Sequence, residues 1–436
     1  MKRLFPYILT ICAAVLTAPA ITDAETITDK ALIEAFRQNP YRAAAGHAPY
    51  EEPSAQTYSA APKGYKAFYI SHYGRHGSRF QSSENVFESI CPILDELKEE
   101  GLLTPCGDSL RMELNQMWKE HENQMYGMLT HRGRREHQGI AERMYRRNPE
   151  VFKQKDRKAV SCRSTVVTRC VESMGNFAMT IGRLRPALDI SMETDLLTGR
   201  TEGAPSHGEI RKHSKKAEEA LFEKAGTMPT LASRLFTDPA EAAEHIKDGN
   251  VGKYLFNVFK AAAGAACLDM EFDPLRFFTP EELLICNRIR NIHFCSSYGC
   301  FGPTRDIAVG HARPYVALLI DEADRAIAGD GHCAHLRFAH DKQVGNILSL
   351  FDLDNYNVYT PTDQSHNHQA AWKYISMAVN LQLVFYSDGK GDILVKCLCN
   401  EKETAIPALN AVNGVYYRWS DLKEHLLRRI GTRQIS

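Results

Sequence analysis

Lys66-Ala67-Phe68-Tyr69-Ile70, running directly into Ser71-His72-Tyr73-Gly74-Arg75-His76-Gly77-Ser78-Arg79-Phe80, is the stretch on which the reading of this 436-residue chain turns. Its first half is an apolar, aromatic-rich run of strand type. Glycine and charge then replace the apolar residues, as where a buried strand opens into a loop. The pattern recurs. Lys158-Ala159-Val160-Ser161-Cys162 gives way to Arg163-Ser164-Thr165-Val166-Val167-Thr168-Arg169, and His335-Leu336-Arg337-Phe338-Ala339 gives way to His340-Asp341. Residues 381–386 and 393–399 read as a hairpin around Ser387-Asp388-Gly389-Lys390-Gly391. Thr130 reads as the N-cap of a helix running to about Arg147. Strands alternating with helices predict an α/β fold with a largely parallel sheet flanked by helices. In such sheets ligands bind beyond the carboxyl ends of the strands, where the charged residues of the first three segments fall.

Between 186 and 300 the pattern becomes helical, with stretches near 208–224, 232–246 and 252–266 and no clear strand. The expected organisation is an α/β domain formed by 21–185 and 301–436, with 186–300 inserted as an all-helical cap. Residues 1–20 stand apart. Lys2 and Arg3 precede an apolar stretch from Leu4 to Leu16, and Ala18-Pro19-Ala20 offers small residues for cleavage, as in an export signal. That stretch is shorter than the ~20 apolar residues a spanning helix requires, so a periplasmic or secreted product is expected. An oxidising compartment permits disulfides among the cysteines, whose spacing leaves the connectivity open. Lys plus Arg and Asp plus Glu are equal at 53 each, which gives no reason to expect a nucleic-acid or membrane partner. At 44% hydrophobic and 24% charged, without repeats or low-complexity tracts, the chain is neither disordered nor a solenoid.

Arg75-His76-Gly77-Ser78-Arg79 carries the chemistry. His76 offers a ring nitrogen as nucleophile, Arg75 and Arg79 offer forked donors to phosphate oxygens, and Gly77 permits close backbone approach. Two nearby guanidinium groups disfavour the imidazolium and keep His76 nucleophilic. They also neutralise a phosphoryl group in flight. Other clusters signal less. His311, His332, His335, His366 and His368 match no common zinc spacing, so neither metal nor cofactor is expected. The basic residues between Arg132 and Lys158 read as a solvated helix face. Asp321, Glu322, Asp324 and Asp330 are rival acids placed in polar turns, and Gly199-Arg200 with Gly203 forms no phosphate loop.

The Arg-His-Gly-Ser-Arg string resembles the signature of the histidine phosphatase superfamily, and residues 66–408 resemble its acid phosphatase and phytase branch. Ser78 within the string is similar to the multiple inositol polyphosphate phosphatases. Further blocks match in order: Leu129-Thr130-His131-Arg132-Gly133 resembles a Leu-Thr-x-x-Gly element opening a helix, Arg163 to Arg169 resembles the block supplying another phosphate-binding arginine, and His340-Asp341 resembles the family's His-Asp pair. The resemblance implies an exported phosphomonoester hydrolase acting through a phosphohistidine at His76. Arg75, Arg79, Arg169 and His340 would bind the phosphate, Asp341 would donate the proton, and Arg163 would stand behind them as a less favoured candidate. Asp341 implies an acidic activity optimum. The expected partner is a phosphorylated small molecule, with inositol polyphosphates of the phytate type first. His340-Asp341 also fits sugar-phosphate and broad-specificity acid phosphatases, because the inositol polyphosphate enzymes usually carry His-Ala-Glu there. A non-catalytic phosphate-ester binding protein is the alternative from another class.

Overall fold

A computed structural model describes residues 28–54, 58–121, 125–195, 207–225, 228–299, 304–353, 356 and 371–431. The export-signal reading, Gly199-Arg200, Gly203, His366 and His368 lie outside the described residues. One mixed sheet organises the chain: β1 (Lys66–Arg75), β2 (Ala159–Ser164), β3 (Asp189–Glu193), β4 (His332–Ala339), β5 (Asn380–Ser387), β6 (Ile393–Cys399), β7 (Lys402–Glu403) and β8 (Tyr416–Arg418). The order is β3-β2-β4-β1-β5-β6-β7, with β8 also on β6. The β3-β2-β4-β1 half is parallel, whereas β5 to β8 pair antiparallel, the hairpin read from the sequence supplying β5 and β6.

Period-2 alternation sends successive side chains of each strand to opposite faces. Tyr69, Tyr73, Leu381, Leu383 and Phe385 pack on one face with α5 (Arg313–Ala328), α6 (Asp341–Phe351) and α7 (Trp419–Ile430). Ile70, Val160, Cys162, Leu336, Phe338 and Val384 pack on the other with α1 (His131–Arg147) and α2 (Thr168–Leu184). Thr130 caps α1 as expected, its hydroxyl accepting the Gly133 N–H. The arginines of α1 are engaged in ion pairs: Arg143 and Arg147 hold the buried carboxylate of Glu401, and Arg134 meets Glu172.

A third core lies away from the sheet strands and joins helices, including Asp29–Gln38, Cys91–Glu99, Pro105–His121, Val251–Ala262 and the start of α4 (Pro280–Tyr298). Two features of the 186–300 stretch differ from the sequence reading. Strand β3 lies within it, pairing parallel with β2. It has five mostly exposed residues at the sheet edge, too short and polar to stand out as a strand. The helical layer also draws on segments before residue 122, since contact between distant amphipathic helices leaves no local signal. The expected 232–246 helix divides at Asp238-Pro239, where Asp238 caps a new helix with proline at its first position. Cys91, Cys106, Cys162, Cys170, Cys267, Cys286, Cys333 and Cys397 are free thiols. Among the described residues no helix is long and apolar enough to cross a membrane.

Candidate active site

Parallel pairing brings three loops to one edge. Arg75 pairs with Ala339 at the ends of β1 and β4, and Ser164 pairs with Phe338 at the ends of β2 and β4. The residues that follow, His76, Thr165 and His340-Asp341, therefore emerge side by side although some 265 positions separate the first from the last. Backbone bonds hold the junction: His76 N–H donates to the Ala339 carbonyl at 3.0 Å and Thr165 N–H to the Phe338 carbonyl at 3.1 Å.

The motif loop is docked against α1. A Cβ on Gly77 would fall 2.5 Å from the Gly133 carbonyl oxygen, and one on Gly133 would fall 2.2 Å from that of Ser78. Only two glycines allow the backbones to touch this closely. Gly77 thus serves approach to the helix, which gives the Leu-Thr-x-x-Gly element its physical reason. The Ser78 N–H and hydroxyl both donate to Glu136 at 2.7 Å, and the Thr130 hydroxyl donates to the Ser78 carbonyl at 3.0 Å. Ser78 is wholly buried in this anchor and stands outside the cavity lining.

A cavity of about 500 Å³ opens at the strand ends, lined by Arg75, His76, Arg79, Arg169, His340 and Asp341 together with Val166, Val167, His311, Tyr315, Lys342, Gln343 and Asn346. His76 Nδ1 lies 2.9 Å from the Gly77 carbonyl oxygen. A carbonyl only accepts, so Nδ1 carries the proton and Nε2 keeps its lone pair. Burial, then the charges of Arg75, Arg169 and Arg79, push the His76 imidazolium well below its usual range. Arg75 is buried, and its Nη1 donates to the carbonyls of Gly46, Ile375 and Ser376. Its Nη2 stands 3.5 Å from Asp341. Arg79 donates from Nη1 to the Phe80 carbonyl and from Nη2 to His47 Nε2 at 3.3 Å. Burial beside Arg75 and Arg169 draws Arg79 down to about 10. Arg169, at the first turn of α2, reaches His340 Nδ1 at 3.4 Å. His340 Nε2 meets the Thr165 hydroxyl at 3.2 Å, and burial with Arg169 draws its imidazolium down to about 4.

Asp341 opens α6, and its carboxylate has two donors: the Tyr298 hydroxyl to Oδ2 at 2.7 Å and the Lys342 N–H to Oδ1 at 3.0 Å. Burial raises its pKa, but Arg75, the Tyr298 bond, His76 and Arg79 overcome this and hold the carboxyl below the usual range. The geometry thus assembles Arg75, Arg79, Arg169, Lys342 and the neutral imidazoles of His76 and His340 around a space with a single carboxylate, Asp341, on its wall. That electrostatic balance suits a phosphate dianion.

Six sequence-selected residues therefore meet at one cavity, and Arg163 is apart from it. Arg163 Nε donates to Asp195 at 2.7 Å and Nη1 to Glu322 at 3.2 Å. The rival acids are also engaged elsewhere: Glu322 with buried Arg337, Asp324 with Trp419 and Lys423, Asp321 with Arg325. Sequence reasoning missed Tyr298, His47 and Thr165. Thr165 lies within the Arg163–Arg169 stretch, whereas Tyr298 and His47 come from distant helical segments with no motif around them. An adjoining cavity of about 610 Å³ shares His311 and Lys342 with the first, and is lined besides by Arg211, Lys215, Glu218 and His293, with Arg211 and Lys215 from α3 (His207–Ala225).

No protein-family model matches this sequence, and no curated protein matches it either. Solved structures do. The chain is similar to the Bifidobacterium longum multiple inositol polyphosphate phosphatase in complex with phosphate, at 17% identity and a TM-score of 0.75, over 90% of this chain and 99% of that one. The same enzyme in complex with inositol hexasulfate gives 18% identity and a TM-score of 0.74, over 88% and 97%. The D. castellii phytase gives 13% identity and a TM-score of 0.63, over 91% and 86%. The chain therefore has the fold shared by these structures, a multiple inositol polyphosphate phosphatase and a phytase.

Proposed function

We propose that this protein hydrolyses phosphate monoesters through a phosphohistidine at His76, with inositol polyphosphates as its substrates. The observation that carries the reading is the meeting of a Nδ1-protonated imidazole with Arg75, Arg79, Arg169 and Asp341 around one cavity. His76 Nε2 attacks phosphorus in line with the ester oxygen. Arg75, Arg79, Arg169 and His340 hold the equatorial oxygens as charge redistributes. Asp341 gives its proton to the departing oxygen, so the alcohol leaves neutral. The resulting aspartate takes a proton from water, which attacks the phosphohistidine and frees phosphate and His76. The phosphate dianion brought beside Asp341 counters the pull of the arginines and raises its pKa towards a donor's range.

The polyphosphate substrate is supported by the second cavity, where Arg211, Lys215 and Lys342 offer charge to further phosphates while one sits at His76. The B. longum enzyme forms complexes with phosphate and with inositol hexasulfate. Helices α3 and α4 supply the walls of this second cavity, which is the role proposed for the cap. Residues 1–20 support export to the periplasm or beyond. The reading is tested by release of inorganic phosphate from myo-inositol hexakisphosphate and from an aryl phosphate. His76→Ala is expected to abolish both, and near-normal turnover by the variant refutes the proposal.

A further inference from the structure

The opposite end of β4 holds a second cluster that the proposed chemistry does not use. Helix α5 stops at Gly329 (φ 96), Asp330 and Gly331 (φ 90) turn the chain, and β4 begins at His332. In a regular strand His332 and His335, three positions apart, would point to opposite faces. Here the register with β2 slips: Ala159 pairs with His332 and Val160 with Ala334, so Cys333 is left over. A bulge of this kind turns a side chain to a new face, and the two imidazole rings lie 4.4 Å apart, tilted by 31°.

Three ligating atoms, one each from Asp330, His332 and His335, lie within 4.8 Å of one another. His332 Nδ1 is 3.1 Å from Asp330 Oδ2, yet it is a buried atom without a hydrogen-bond partner. Proximity without an aligned bond is the arrangement expected of two lone pairs that share a cation. The remaining bonds pre-orient the set. Asp330 Oδ1 accepts the His332 N–H at 3.0 Å, and His335 Nδ1 meets the Tyr69 hydroxyl at 3.0 Å, which leaves Nε2 for a ligand. Asp330 is exposed and His335 buried, so solvent reaches one side only.

We infer that Asp330, His332 and His335 bind one divalent transition-metal ion of the zinc class, with water completing the coordination. Two imidazoles and a carboxylate suit zinc in both number and ligand type. The site is remote from the phosphate cavity, because the five-residue rise from His335 to His340 is about 17 Å at strand spacing. A bound ion would tie the turn after α5 to the central strand and stabilise the folded state by linkage. Its failure would leave the phosphatase reading intact.

The test uses the full chain, stripped with EDTA and titrated with Zn²⁺ against a chromophoric chelator, alongside thermal unfolding. One equivalent is expected to bind and to raise the unfolding temperature. His332→Ala and Asp330→Asn, both away from the sheet interior, are each expected to weaken binding by about tenfold or more. His245→Ala, in the exposed Glu96–Glu100–His245 cluster, is expected to leave binding unchanged. Phosphate release by folded wild type is expected to be the same with and without EDTA. Absence of saturable zinc binding overturns the inference, as does undiminished binding by the His332 and Asp330 variants or loss of binding in the His245 variant.

Discussion

Tyr298→Phe tests Asp341 as the proposed proton donor while leaving Arg75, Arg79, Arg169 and His340 in place. The hydroxyl it deletes donates to Asp341 Oδ2 at 2.7 Å and is one of the groups that hold that carboxyl down. Hydrogen bonds to charged groups contribute about 1.5–3 kcal/mol, which at ~1.36 kcal/mol per pH unit corresponds to about one to two units. The Asp341 side chain is 25% exposed and Arg75 remains 3.5 Å away, so the lower figure, about one unit upward, is expected. The ring should stay in place, since Tyr298 stacks on Phe294 with centroids 5.4 Å apart. In the proposed mechanism Asp341 acts as the acid, so activity should fall as pH rises above its pKa, and raising that pKa should carry the falling limb with it. The assay is kcat against pH for an alkyl phosphate, whose poor leaving group demands the proton; kcat reports the enzyme–substrate complex, in which the bound phosphate has raised the Asp341 pKa. The expected result is a descending limb displaced by about one unit to higher pH. Superimposed profiles, or displacement to lower pH, would refute the assignment of Asp341 as donor under Tyr298 control.

Asp341→Asn should slow an alkyl phosphate on the order of 10²- to 10⁴-fold and a nitrophenyl phosphate far less, and equal losses would point to another acid. Arg211→Ala with Lys215→Ala should raise KM for inositol hexakisphosphate several-fold while sparing an aryl phosphate, which can be read from the two KM values measured in parallel. Acid should destabilise the fold through the buried His137 and through His72, which is buried with both ring nitrogens unpartnered. Burial holds both pKa values down, that of His137 to about 3, while the unfolded chain protonates them near ~6.5. Above that pH their burial carries no proton-linkage penalty, and stability is lost as pH falls below it. From pH 7 to 5 the loss is about 2 kcal/mol for each histidine. Urea unfolding at the two pH values should show it, and His137→Leu should remove roughly half of the pair's contribution.

Local signals made much of this molecule legible. Apolar runs ending in charge located β1, β2 and β4, because a buried strand and its loop differ in composition wherever they occur. The Arg-His-Gly string stood out because the groups proposed to handle a phosphoryl transfer stand within a few residues of one another. His340-Asp341 was placed by its position after a strand, and Thr130 by its capping chemistry. Edge strand β3 was too short and polar to read, and the helical layer recruits segments from both sides of the sheet strands, so the inserted cap was drawn too simply.

Tertiary structure alone decided what these groups face. Parallel pairing, a hydrogen-bonding relation between strands far apart in sequence, put His76 beside His340 and left Arg163 against Asp195. Backbone contact between Gly77 and Gly133 fixed the loop on its helix. Tyr298 reaches Asp341 and a strand bulge joins His332 to His335 only once the chain is folded, since both depend on distances that residue order does not encode. Residue types determine what chemistry is available; packing determines which groups share one low-dielectric space, and there the charges of neighbours set which atom carries the proton.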